Sequence, residues 1–138
     1  MIIYDPKIAI LLIAFNRSNI KQVFDRIKEV KPRRLYIAVD GSTNDTQCKI
    51  CKETTSIVSH IDWECQVFKL YQEKNQGYDK HCFDSISWFF EQEPEGVILE
   101  DDCVPSISFF GFCTTLLEKF RHDERIGHIS GSNYQFGK

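Results

Sequence analysis

Apolar and polar positions alternate along this chain with two periods. Residues 7–15 (KIAILLIAF) form a continuous apolar run of strand length, as expected for a strand buried on both faces. Ile20, Val23, Phe24, Ile27 and Val30 then recur at helical spacing, with Ser18 the expected N-cap and Pro32 the stop. Residues 35–39 (LYIAV) read as a second buried strand ending at Asp40-Gly41. A polar turn leads to a helix expected over residues 46–60, and residues 65–71 (CQVFKLY) alternate as a third strand. The loop at 72–77 precedes a helix predicted over 80–92, with Phe83, Ile86, Phe89 and Phe90 turned inward. Pro94-Glu95-Gly96 turns the chain into a fourth strand at 97–99. A further amphipathic helix is expected over 106–120, and a fifth strand, carrying His128, over 126–130.

Strand and helix in alternation predict an α/β fold: a mostly parallel twisted sheet flanked by helices on both faces. Right-handed crossovers then bring every strand's C-terminal end to one edge, where open α/β sheets bind ligands. No repeat, linker or low-complexity tract divides the chain, so residues 1–138 read as one domain.

The segments that meet at that edge are all polar. Asn16-Arg17 follow the first strand, Asp40-Gly41 the second, residues 73–77 (EKNQG) the third and Glu100-Asp101-Asp102 the fourth. Three consecutive carboxylates repel one another unless a cation or hydrogen-bond donors compensate. Hard oxygen ligands suit Mg²⁺ or Mn²⁺, which share coordination with substrate phosphates. A solvated acidic turn before Pro105 is the plainer alternative. Asp40 can accept hydrogen bonds from a nucleoside or simply open an Asp-Gly turn. Arg17, ahead of a helix, can contact a diphosphate or form a surface ion pair.

Charge changes the picture little. Residues 1–69 hold 11 Lys and Arg against 8 Asp and Glu, and residues 70–138 hold 6 against 12. Neither half carries a dense basic face, so nucleic acid is not an expected partner. Lys28, Lys31, Arg33 and Arg34 suit a solvated helix end. No run reaches the roughly 18 apolar residues of a membrane span, and the chain reads as cytoplasmic. The six cysteines include one C-x-x-C, Cys48 and Cys51, without a second pair for zinc, and read as reduced thiols, structural or incidental. There is no G-x-G-x-x-G, Walker A or G-x-S-x-G motif, and His60, His81, His122 and His128 lack metal-ligand spacing. A phosphoacceptor domain would place its acidic pair after the first strand, where Asn16-Arg17 stand.

The ordered series AFNRS, VDGS, EKNQGYDK, VILEDD, SFFGFCTTLLEKF and IGHISGSN resembles nucleotide-sugar glycosyltransferases of the GT-A fold. The resemblance is to a bacterial glycosyltransferase group, some of whose members carry a hemolytic-protein (HlpA-like) label, and more distantly to N-acetylglucosaminyltransferase I. It runs from about Lys7 to Asn133. It implies that Ala14, Phe15, Asn16 and Arg17 line a nucleotide pocket and that Asp40, with Gly41 beside it, holds the base, commonly uracil. It further implies substrate-binding roles for Asn75, Gly77 and Lys80, with Gly77 allowing close backbone approach. Asp102 would bind the metal, Asp101 would support the metal or ribose, and Glu100 would orient the loop or touch the sugar. The expected partners are a nucleotide-sugar donor, commonly a UDP-sugar, and a glycan or other hydroxyl acceptor, with a homo-oligomer as one way to complete the site. Such enzymes continue into an acceptor half. The expectation is therefore a domain cut short at its C-terminus, its general base beyond Lys138, with a non-catalytic nucleotide-sugar-binding module as the alternative. The hemolytic label finds no lytic amphipathic basic helix here.

Overall fold

The computed structural model describes residues 3–17 and 19–132. Four strands and four helices alternate along them: β1 (Ala9–Ala14), α1 (Ile20–Val30), β2 (Arg34–Val39), α2 (Asp45–Ile57), β3 (Gln66–Tyr71), α3 (Tyr78–Phe90), β4 (Gly96–Glu100) and α4 (Ile107–Phe120). All strand pairs are parallel, in the spatial order β3-β2-β1-β4, which gives a Rossmann-like α/β sheet. Every residue of β1 is buried, as its unbroken apolar run requires of a central strand.

Side-chain parity divides the core into two layers. Ile10, Leu12, Leu35, Ile37, Val97 and Leu99 face α1, α2 and α4, among which Phe24 and Phe110 are buried. Ala9, Leu11, Ile13, Tyr36 and Ala38 face the other way, onto α3 through Phe89. Tyr36 is the hub of that second layer: it stacks on Phe68 at 4.4 Å and meets Phe89 edge-on at 4.9 Å. Gly96 is obligatory here, because a Cβ would lie 2.8 Å from the Ala9 carbonyl oxygen and collide with the Phe89 ring.

Several expectations are corrected. Residues 126–132 form bends and coil, so the fifth strand is absent among the described residues and His128 lies in no strand. The run is too short and too exposed to find a strand partner; Ile126 and Ile129 stay 37% and 39% exposed. On α3, Phe89 is buried, but Phe83 and Phe90 point outward at 72% and 46% exposure. The buried stripe is His81, Ser85 and Phe89, each four residues apart, because α3 begins at Tyr78 and turns that face to the sheet. α2 ends at Ile57, leaving His60 in the following turn, where its Nδ1 lies 2.6 Å from the Ser56 carbonyl oxygen. Ser18 lies outside the described residues; Asn19 precedes α1 without a side-chain cap. α2 is capped conventionally, Asn44 Oδ1 accepting from the Gln47 N–H.

The basic cluster also divides. Lys31 closes α1 in a left-handed conformation. Arg34 instead opens β2 and donates through Nε and Nη2 to the buried carboxylate of Glu93, at 2.6 and 2.9 Å. Tyr36 donates to the same carboxylate at 2.9 Å. Cys48 and Cys51 fall within α2 as expected, and all six cysteines are free thiols. Burial pushes the Cys113 thiol up to about 12, which makes it inert near neutrality. Among the described residues, no helix is long and apolar enough to cross a membrane.

Candidate functional site

Because the four strands run parallel, the segments after them meet at one edge, and hydrogen bonds lock them together. Strand order reverses between β1 and β4, so the loops behind these two strands flank a topological switch point.

The residues behind β1 are shaped by Asp101. Its Oδ2 accepts the backbone N–H groups of Phe15 at 2.7 Å and Arg17 at 3.1 Å, and its side chain is fully buried. Between them Asn16 takes a left-handed φ of 62°, which asparagine tolerates better than most residues. Asp101 Oδ1 is buried without a hydrogen bond, 3.9 Å from Arg17 Nε. The next carboxylate behaves differently. Asp102 is 40% exposed and its Oδ2 is ion-paired with Arg17 Nη1. The third, Glu100, still belongs to β4 and accepts a 3.4 Å contact from the Tyr78 hydroxyl. Its charge pushes the Tyr78 phenol above its usual value.

Asp40 organises the other half. It is 2% exposed; Oδ1 accepts from Gly41 N–H at 2.9 Å and Gln76 N–H at 2.8 Å, and Oδ2 from Asn75 Nδ2 at 3.1 Å. Asn75 Nδ2 also reaches the Gly41 carbonyl at 3.0 Å, so the loops behind β2 and β3 close on each other. That approach requires Gly41: an added Cβ would sit 2.6 Å from the Lys74 carbonyl oxygen and 2.7 Å from Asn75 N. Gly77 is required for a different reason, its φ of 80°, while the space beside it is open. Asn16 Nδ2 bonds the Asp40 carbonyl at 3.1 Å and joins the loops behind β1 and β2.

An aromatic wall completes the arrangement. Phe15 stacks on Tyr78 with centroids 4.8 Å apart, the Arg17 guanidinium lies over the Phe15 ring at 5.3 Å, and His81 meets it edge-on at 5.3 Å. His81 is fully buried, and neither ring nitrogen has a hydrogen-bond partner. Leaving such groups unpaired costs roughly 1–3 kcal/mol each. Burial lowers its pKa; the charge of Asp40 and the carbonyls of Ala38 and Ala14 pull the other way, without hydrogen-bonding geometry.

Thus Ala14, Phe15, Asn16, Arg17, Asp40, Gly41, Asn75, Gly77, Glu100, Asp101 and Asp102 all lie at or just behind the ends of the strands. Lys80 lies in the first turn of α3, exposed and ion-paired with Asp84. Gln76, Tyr78 and His81 are not among the candidate site residues that the sequence alone offers. Gln76 contributes its backbone, which no side-chain motif reveals. His81 could have been found from its spacing of four and eight residues to Ser85 and Phe89.

The donor set can be tested against a divalent cation. Among the described residues no group of three or more His, Cys, Asp or Glu side chains forms a cation cage. Asp102 presents an outward carboxylate that already takes a cationic partner, and Asp101 Oδ1 has no hydrogen bond, only the Arg17 Nε at 3.9 Å. One or two carboxylates fit a Mg²⁺ or Mn²⁺ ion that draws its remaining ligands from substrate phosphates and water. Comparison with protein-family models, with curated proteins and with solved structures finds no match.

Proposed function

We propose that this edge is the donor site of a glycosyltransferase, binding a nucleoside-diphosphate sugar together with Mg²⁺ or Mn²⁺. The observation that carries the reading is the divided labour of the acidic triplet at the switch point. Asp101 is spent on shaping the residues behind β1, while Asp102 stays outward against Arg17. In this reading Asp102 holds the cation, and Arg17, released from that pair, turns to the diphosphate. Asp40 and Asn16 border the nucleoside, whose base can lie against the Phe15–Tyr78 pair. The cation would act as a Lewis acid, neutralising the departing nucleoside diphosphate. An acceptor hydroxyl would then attack the anomeric carbon.

Titration calorimetry of UDP with and without Mn²⁺ tests this. Mn²⁺ is expected to tighten UDP binding, and Asp102→Asn to remove on the order of tenfold or more of that gain, the worth of a charge-assisted contact. UDP binding that ignores Mn²⁺, or no binding at all, would count against the donor site. Metal-dependent binding with neither hydrolysis nor transfer of a UDP-sugar would assign a non-catalytic nucleotide-sugar-binding module.

A further inference from the structure

Among the described residues Arg17 is the one cation that meets the acidic triplet. Its Nη1 is ion-paired with Asp102 Oδ2, and its Nε lies 3.9 Å from Asp101 Oδ1, a buried oxygen without a hydrogen bond. An exposed ion pair by itself contributes little, because two side chains must be held still to form it. Arg17 is held by other means. Its backbone N–H donates to Asp101 Oδ2 at 3.1 Å, and its guanidinium lies over the Phe15 ring, which is itself stacked on Tyr78. The turn behind β1 thus delivers a fixed positive charge to the two carboxylates that the donor reading offers a cation.

A guanidinium and a divalent cation compete for the same Asp102 oxygens. The chain has little else to offer a cation, since among the described residues no group of three or more His, Cys, Asp or Glu side chains comes together. A diphosphate changes both sides of this competition. It gives the guanidinium fork-matched anionic oxygens in place of Asp102, and it supplies a Mg²⁺ or Mn²⁺ ion with further oxygen ligands.

We propose that Arg17 stands in for the cation in the ligand-free protein, so that the cation enters after the nucleotide or together with it. Arg17 keeps Asp102 closed to Mg²⁺ or Mn²⁺ alone. The diphosphate draws the guanidinium away, and Asp102 is then open.

The order of binding rests on the donor-site reading, but the exclusion of the cation can be measured without nucleotide. Binding of Mn²⁺ alone is followed by water-proton relaxation for wild type and Arg17→Gln, a change that keeps the backbone bond to Asp101. Arg17→Gln is expected to bind Mn²⁺ on the order of tenfold tighter, the worth of removing one adjacent positive charge. A damaged turn would weaken binding instead. Adding Asp102→Asn to Arg17→Gln is expected to abolish the gain. Equal affinity of wild type and Arg17→Gln, undetectable binding to both, or a gain that survives Asp102→Asn overturns the proposal. In the wild-type chain, the Arg17 Nε–H resonance is expected to stay in place with Mg²⁺ alone and to move with UDP. Movement with Mg²⁺ alone, or none when UDP is bound, overturns the proposal, and this resonance decides it if Arg17→Gln does not fold. Should UDP not bind with or without the cation, the donor reading falls, and the Mn²⁺ comparison still decides whether Arg17 holds Asp102 closed.

Discussion

Asp101 and Asp102 are adjacent in sequence yet do unlike work. One is sealed beneath the end of β1 and holds two backbone amides; the other faces outward with Arg17. Composition and position after a strand do not tell the three acidic residues apart; the resemblance alone gives Asp102 the metal and Asp101 a supporting part. The path of the chain behind β1 gives Asp101 a part that neither implied, the holding of two backbone amides. Replacing Asp101 by alanine leaves the buried N–H groups of Phe15 and Arg17 without an acceptor. The expected loss is about 2–4 kcal/mol, measured by denaturant titration. Asp102→Ala, at an exposed pair, is expected to change stability by under about 1 kcal/mol. A loss at Asp102 as large as at Asp101 would undo this division.

At the scale of elements, the same contrast recurs in α3 and β2. Periodicity predicted a helix near residues 80–92, but its buried stripe comes from His81, Ser85 and Phe89 rather than from all its phenylalanines. A helix rich in apolar residues presents more than one candidate face, and the rotation is chosen by what the sheet offers. Here that is the slot above Gly96 and Tyr36. At the start of β2, Arg34, Tyr36 and Glu93 form a polar cluster that spacing could not expose, because Glu93 lies 59 and 57 residues from its partners. Burial, and then the hydrogen bond to Glu93, push the Tyr36 phenol up to about 12. The folded state thus resists ionisation that the unfolded chain undergoes near 10. The stabilisation is fully present below that value and is lost as pH rises towards about 12. Tyr36→Phe should flatten this part of the alkaline unfolding curve, followed by circular dichroism. A residual slope from Tyr4, whose pKa burial also raises, is expected to persist.

Taken as a whole, the molecule is lopsided. One face of the sheet packs against α1, α2 and α4, whereas among the described residues α3 alone packs on the other. Phe89 is fully buried at the centre of that single-helix layer. Phe89→Ala is expected to cost about 3–5 kcal/mol, a large share of the 5–15 kcal/mol typical of a domain. Thermal unfolding should show it as a lower Tm, and hydrogen exchange as faster exchange across β1 and β2, which α3 shields. A Tm within a degree or two of wild type would show that this layer contributes little.

What the sequence determined by itself was the alternation of strand and helix and the polar character of every segment at the strand ends. Both follow from local periodicity and composition, which a buried parallel sheet imposes on each strand separately. Tertiary structure alone decided the order β3-β2-β1-β4 and the lack of a strand at 126–130. It also decided which carboxylates are spent internally. Asp40 is held by a loop more than thirty residues away, and Asp101 by one more than eighty residues away. Contacts at such separations leave no periodic trace in the chain, because they depend on which strands become neighbours.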